Sequence, residues 1–261
     1  MLPDMLDVRT AVGVSSIGGK LYAVGGECEC KFHRERTQYL QSVECYDPIS
    51  NSWSYVAPMK CCRSFAAVVG LDGLLYVIGG ECSTTMYRSV EVYQASENKW
   101  ESVPDMQYCR SGAGSSALGG KVYVAGGHDK SSAHSSMECY DPMERAWTMC
   151  ADMAYACSGV ALVGTSTHLY SFGGRSKSNQ VYYNKIQRYT PFTDSWEQIS
   201  TMIQPRAWPS AVLFNGAIFI VGGFDGRDRL NTVERFDVRT GFRSPMDSMN
   251  ESRAGCGAAI V

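Results

Sequence analysis

Few residues in this chain are typed and spaced for chemistry. His128 and His134 share one loop, "HDKSSAH", and the chain has only two other histidines. Cys28 and Cys30 form a "CEC" pair, and Cys61 and Cys62 are adjacent. None of these has the C-x2-C spacing that brings two thiolates onto one zinc ion, so exposed loop residues are the simpler reading and no metal is expected. Lys60 and Arg63 flank the Cys61-Cys62 pair and could lower a thiol pKa enough to make it reactive. Five Gly-Gly pairs end apolar runs, but they lack both phosphate-cradling glycine spacings and no helix follows them. No carboxylate pair or nucleophile–base pair recurs at a fixed place. The expectation is a protein that is not an enzyme and needs no cofactor.

The bulk composition agrees with a binding role. The chain has 261 residues, 44% of them hydrophobic and 19% charged, with a net charge of −2. That is an ordinary globular composition. It holds no apolar run long enough to span a membrane as a helix. The mild acidity, with no basic stripe interleaved with aromatics, argues against nucleic acid. Eleven scattered cysteines, several inside apolar strand patterns such as those around Cys45, Cys139 and Cys256, suggest reduced thiols in a cytosolic or nuclear compartment.

The elements that would position any site are read from a repeat. The runs "LYAVGG", "LYVIGG", "VYVAGG", "LYSFGG" and "IFIVGG" end on second glycines spaced by 54, 47, 47 and 49 residues. Each is followed by an aromatic, at Tyr46, Tyr93, Tyr140, Tyr189 and Phe236. Trp53, Trp100, Trp147 and Trp196 stand seven residues after the first four aromatics, and Met59, Met106, Met153 and Met202 six residues further on. Phe242 lies near the tryptophan place in the fifth unit, which Met249 closes. The runs are short, β-branched and aromatic, so they predict strands. Four strands per unit and no helix signal predict an all-β propeller.

The Gly-Gly pair, the following aromatic and the tryptophan at fixed spacing resemble the kelch repeat. "RSxxG" turns and "ECYDP" segments are most similar to the kelch domains of BTB-kelch proteins, which are substrate adaptors of cullin-RING ubiquitin ligases. The expectation is one domain over 1–261, a kelch β-propeller of five complete four-stranded blades at about 6–59, 60–106, 107–153, 154–202 and 203–249. A partial sixth would follow, its first strands missing upstream. Residues 253–261, within a closing segment 250–261, would be its inner strand. "MLPDM" reads as the tail of that same blade, since Met5 is 21 residues before Gly26, the interval that Met59, Met106, Met153 and Met202 keep to the next second glycine.

The resemblance implies a partner-binding face built from two loop sets. One follows each Gly-Gly: Glu27, Glu81, His128, Arg175 and Phe224. The other follows each methionine: Arg63-Ser64, Arg110-Ser111, Ser158, Arg206 and Arg253, with Ala156 read as standing where the fourth unit should have arginine. Arg34 and Arg36 fall in the longest loop, and Tyr155 and Trp208 sit beside these positions. Trp208 is singled out because it does not occupy the repeated tryptophan place. Lys/Arg outnumber Asp/Glu in the loops, which would steer an acidic peptide segment of a protein substrate. The resemblance further implies a cytoplasmic protein, nuclear and cytoskeletal placement left open, that reaches a cullin only through a BTB region absent from these residues. An actin-associated kelch protein and a kelch-fold enzyme on a small molecule are the alternatives.

Overall fold

The computed structural model describes residues 3–29, 37–178 and 180–261. Arg34 and Arg36 lie outside them. Among the described residues all regular structure is β, and no helix is long and apolar enough to cross a membrane. Five four-stranded antiparallel sheets follow one another along the chain. The second shows the plan. Ala67–Leu71 is the inner strand, Leu74–Ile78 the next, Val90–Gln94 the third and Lys99–Val103 the outer one. The others start at inner strands Gly13–Ile17, Ser111–Leu118, Ala161–Gly164 and Ser210–Phe214. Successive inner strands pack side by side.

The repeated aromatics make the walls between blades. Tyr93 pairs with Leu75 on one side and Trp100 on the other. Its ring packs on Trp100 at 5.0 Å and on Tyr22 of the first blade at 5.8 Å. Such stacked, buried rings combine large apolar burial with a preferred geometry. Each tryptophan also staples its blade to the preceding tail through its indole N–H. Trp53 donates to Pro3, Trp100 to Ala57, Trp147 to Pro104 and Trp196 to Ala151, at 2.7–3.1 Å. In the fifth blade Arg243 replaces tryptophan, not Phe242. It faces Phe236 in register and donates to the Thr201 carbonyl, whereas Phe242 is 65% exposed.

Residues 253–261 do not form the expected strand. The segment starts as every inner segment does. Gly223 N–H donates to Arg253 O at 2.8 Å, and Gly255 N–H to Trp208 O at 3.0 Å. Gly257 then lies against Val14 of the first blade. Among the described residues no second strand runs beside it to complete a ladder. Pro3–Met5 and Arg253–Ala258 line the same cleft, of about 730 Å³, between the fifth blade and the first.

Candidate partner-binding face

The face is founded on ion pairs buried beneath it. Arg63, Arg110 and Arg206 do not reach a partner, because each is 1% exposed. Arg110 is typical. Its Nε donates to Glu138 Oε1 at 3.1 Å, its Nη2 forms an ion pair with the same oxygen at 3.0 Å, and its Nη1 donates to the carbonyls of Gly126 and Ser136 at 2.7 and 2.9 Å. Its Nη2 also reaches Ser136 Oγ at 2.7 Å, while Glu138 Oε2 accepts the Gln107 N–H at 2.6 Å. In Arg63 and Arg206 all five guanidinium donors are used. Burial lowers the Arg110 pKa from its ordinary value, and Glu138 opposes that shift. Arg63 with Glu91, Arg206 with Glu234, and Arg9 with Glu44 repeat the arrangement. Each clamp ties the start of a blade to its Gly-Gly turn and its third strand.

The fourth blade substitutes both members. Cys157, rather than Ala156, takes the arginine place, since its carbonyl accepts the Gly127 N–H as Arg110 O accepts that of Gly80. Gln187 stands for the glutamate and is fully buried, its Oε1 accepting the Ala154 N–H at 2.9 Å. Burial pushes the Cys157 thiol up to about 12, so it stays neutral. Beside it Tyr155 stacks on Tyr183 at 4.0 Å, its hydroxyl buried. Arg253 holds the arginine place of the incomplete sector. Its side chain is 55% exposed and pairs with Glu251 of its own segment at 2.9 Å.

The residues after each Gly-Gly do come together. Backbone bridges join Glu27 to Thr10, Glu81 to Ser64, His128 to Ser111, Arg175 to Ser158 and Phe224 to Ala207. The three serines are buried in these bridges; the five partners are half-buried around one mouth. The mouth is split rather than uniformly basic. Burial pushes the Glu27 carboxyl up, and the adjacent Glu81 charge adds to it. Burial holds His128 below its ordinary value, so at neutral pH the positive side is Arg175, Lys177 and Arg229.

A second ring lies just inside. Ala11, Phe65, Gly112, Gly159, Trp208 and Gly255 all have left-handed backbones, with φ from 51° to 67°. Each of the last five donates its N–H to the carbonyl of the one before, at 2.7–3.0 Å. Phe65 and Trp208 stand three places apart in this ring of six, facing each other at 6.4 Å. Gly159 must be glycine because a Cβ there would come within 3.0 Å of the Trp208 indole. The guanidinium of Arg175 covers the other part of Trp208, at 5.6 Å, in cation–π geometry.

Cys62 and Cys82 form a disulfide, with Cα atoms 5.9 Å apart, against the expectation of reduced thiols throughout. Cys62 precedes Arg63 and Cys82 follows Glu81, so the adjacent Ser64–Glu81 bridge brings them together. The bond removes Cys62 as a candidate reactive thiol and leaves Cys61 free. It closes a loop across a sequence separation of 20 residues, so Cys62→Ser is expected to cost about 3 kcal/mol. Urea unfolding of wild type with and without a reductant checks this. Reduction should reproduce the variant, and equal midpoints for all three would refute it.

Cys28 lies in the short strand Glu27–Glu29 rather than in a loop, Cys30 lies outside the described residues, and His134 bonds the Cys109 carbonyl at 3.1 Å. Among the described residues no three His, Cys, Asp or Glu side chains group as metal ligands would.

A family profile described as Attractin/LZTR1 beta-propeller matches residues 5–233. The influenza virus NS1A-binding protein homolog of Mus musculus is 39% identical over 80 residues, 31% of this chain and 11% of that protein. The Homo sapiens influenza virus NS1A-binding protein is 38% identical, with the same two shares. Kelch-like protein 35 of Mus musculus is 45% identical over 65 residues, 25% of this chain and 10% of its own length. The matched part is thus about a tenth of these curated relatives. The solved structure of YjhT superposes with a TM-score of 0.82 at 15% identity, covering 99% of this chain and 89% of that one, which is a likeness of fold. With the Gly-Gly repeat, the five sheets and the stapling tryptophans, these matches establish that the chain is a kelch-type propeller and belongs to the Attractin/LZTR1 β-propeller family.

Proposed function

We propose that this propeller is the substrate-recognition domain of a BTB-kelch adaptor for a cullin-RING ubiquitin ligase, working in the cytoplasm. The observation that carries the recognition role is the mouth itself. Five residues of unlike chemistry, Glu27, Glu81, His128, Arg175 and Phe224, are gathered there by an invariant backbone frame. Variable side chains on a rigid frame suit selection among partners. The kelch-like relative supports the adaptor part of the reading. A cullin would be recruited through a BTB region, which these residues do not include.

Affinity purification of the full-length parent protein tests the proposal. A cullin together with one enriched further protein is the expected result. Enrichment of actin without a cullin would replace the adaptor reading with a cytoskeletal one. A turned-over small molecule in the purified protein would replace recognition with catalysis.

A further inference from the structure

We propose that the mouth holds an axial anchor pocket, which takes one bulky apolar side chain of an extended peptide and a neighbouring carboxylate. This rests on the recognition reading above and names the chemistry that it would select. The pocket is a cavity of about 280 Å³ bounded by Phe65, Trp208, Phe224, Arg229, Ala11 and Gly255. Pockets for whole small molecules begin near 300 Å³, so this one fits a single side chain.

Three features point to an anchor site rather than to packing alone. The first is strain. A bulky residue with a left-handed backbone costs about 1–3 kcal/mol, yet Phe65 and Trp208 both adopt it, at φ 51° and 52°. The other four places of the inner ring hold alanine or glycine. Glycine at all six would close the same hydrogen bonds without that cost. The second is placement. The two aromatics come from opposite places of the ring and meet across its axis, so they floor a pocket instead of filling a blade-to-blade wall. Both remain half-buried, as does Phe224, which meets Tyr182 edge-on at 5.5 Å. Aromatics held rigidly beside arginine are the usual composition of an interface hot spot.

The third feature is charge. Arg229 is exposed at the rim, and no carboxylate lies within ion-pair distance of it among the described residues. Arg175 stacks on Trp208 with its Nε buried and, among the described residues, lacking a hydrogen-bond partner. These two guanidiniums border the aromatic floor on one side, while Glu27 and Glu81 lie on the opposite arc of the mouth. An entering apolar residue would therefore carry its acidic neighbour on the Arg175–Arg229 side. Bidentate arginine–carboxylate pairing would then fix the direction of the peptide.

Selection of a random extended-peptide display library on the purified 261-residue protein tests this. The expected ligands share a bulky apolar residue with Asp or Glu within two positions. Trp208→Ala should weaken a selected peptide by roughly thirtyfold, the size of a hot-spot truncation. Arg229→Glu, at an exposed place that leaves the fold intact, should weaken it similarly. Exchanging the peptide's acidic residue for lysine should then restore binding to the Arg229→Glu protein. Peptides that bind both variants as well as wild type would overturn the pocket and leave the recognition reading standing. A library that yields no ligand would overturn both.

Discussion

Replacing Arg110 by methionine is expected to destabilise the propeller by about 3–5 kcal/mol, the cost of stranding one member of a buried ion pair. Arg110 and Glu138 have side chains 0% and 1% exposed. Without the guanidinium, Glu138 would keep only the backbone N–H donors of Gln107 and Tyr108. For a domain of this size the loss corresponds to roughly 10 °C in Tm. The fourth blade suggests the rescue. It buries a neutral thiol and a neutral amide at the corresponding places, Cys157 and Gln187. Arg110→Cys combined with Glu138→Gln should therefore be more stable than Arg110→Cys alone, because no buried charge is left unpaired. A double-mutant cycle by urea unfolding measures this directly. A loss below about 1 kcal/mol for Arg110→Met would show that water reaches Glu138, contrary to its burial.

Gly173→Ala is expected to cost about 2–5 kcal/mol. Two effects add. The backbone sits at φ 67°, where an alanine loses about 1–2 kcal/mol. The new Cβ would also lie 2.1 Å from the Arg206 carbonyl oxygen, which the clamp and the Gly174 N–H hold in place, and overpacking of a fixed neighbour costs about 1–3 kcal/mol. Gly216 separates the two. Its φ is 73° but nothing lies within 4 Å of its Cβ position. Gly216→Ala should pay the backbone penalty alone, so its midpoint in thermal unfolding should fall between those of wild type and Gly173→Ala. Equal midpoints for the two variants would mean that the close approach at Gly173 is relieved by a shift of the neighbouring blade.

The architecture was legible because the Gly-Gly pairs, tryptophans and methionines recur at intervals that no other arrangement explains. The Arg-Ser segments misled because a polar dipeptide in a loop looks exposed. Their burial was signalled elsewhere, by a glutamate 28 residues after Arg63, Arg110 and Arg206. In the first blade the interval from Arg9 to Glu44 is 35 residues, lengthened by the long loop after Gly26. The fourth blade loses arginine and glutamate together, which marks them as partners. Gly173 and its equivalents could be named from sequence, but what they approach could not. The Phe65–Trp208 pair had no sequence signal as a pair. Only the circular order of the inner ring sets residues 143 positions apart face to face. Trp208 was found by being out of step with the repeat, and Phe65 was missed because aromatic residues in strand-flanking segments are commonplace.

The inner ring also says how the molecule measures its own curvature. Five links are made between six places, and they keep the same length whether or not a blade stands behind the last of them. The turn from one unit to the next is therefore set at each junction by one left-handed residue and one hydrogen bond. It is not a compromise reached by the whole circle. Such units would behave like voussoirs cut to one angle: an array short of a member leaves an open sector instead of tightening to close it. The cleft between the fifth blade and the first has that character.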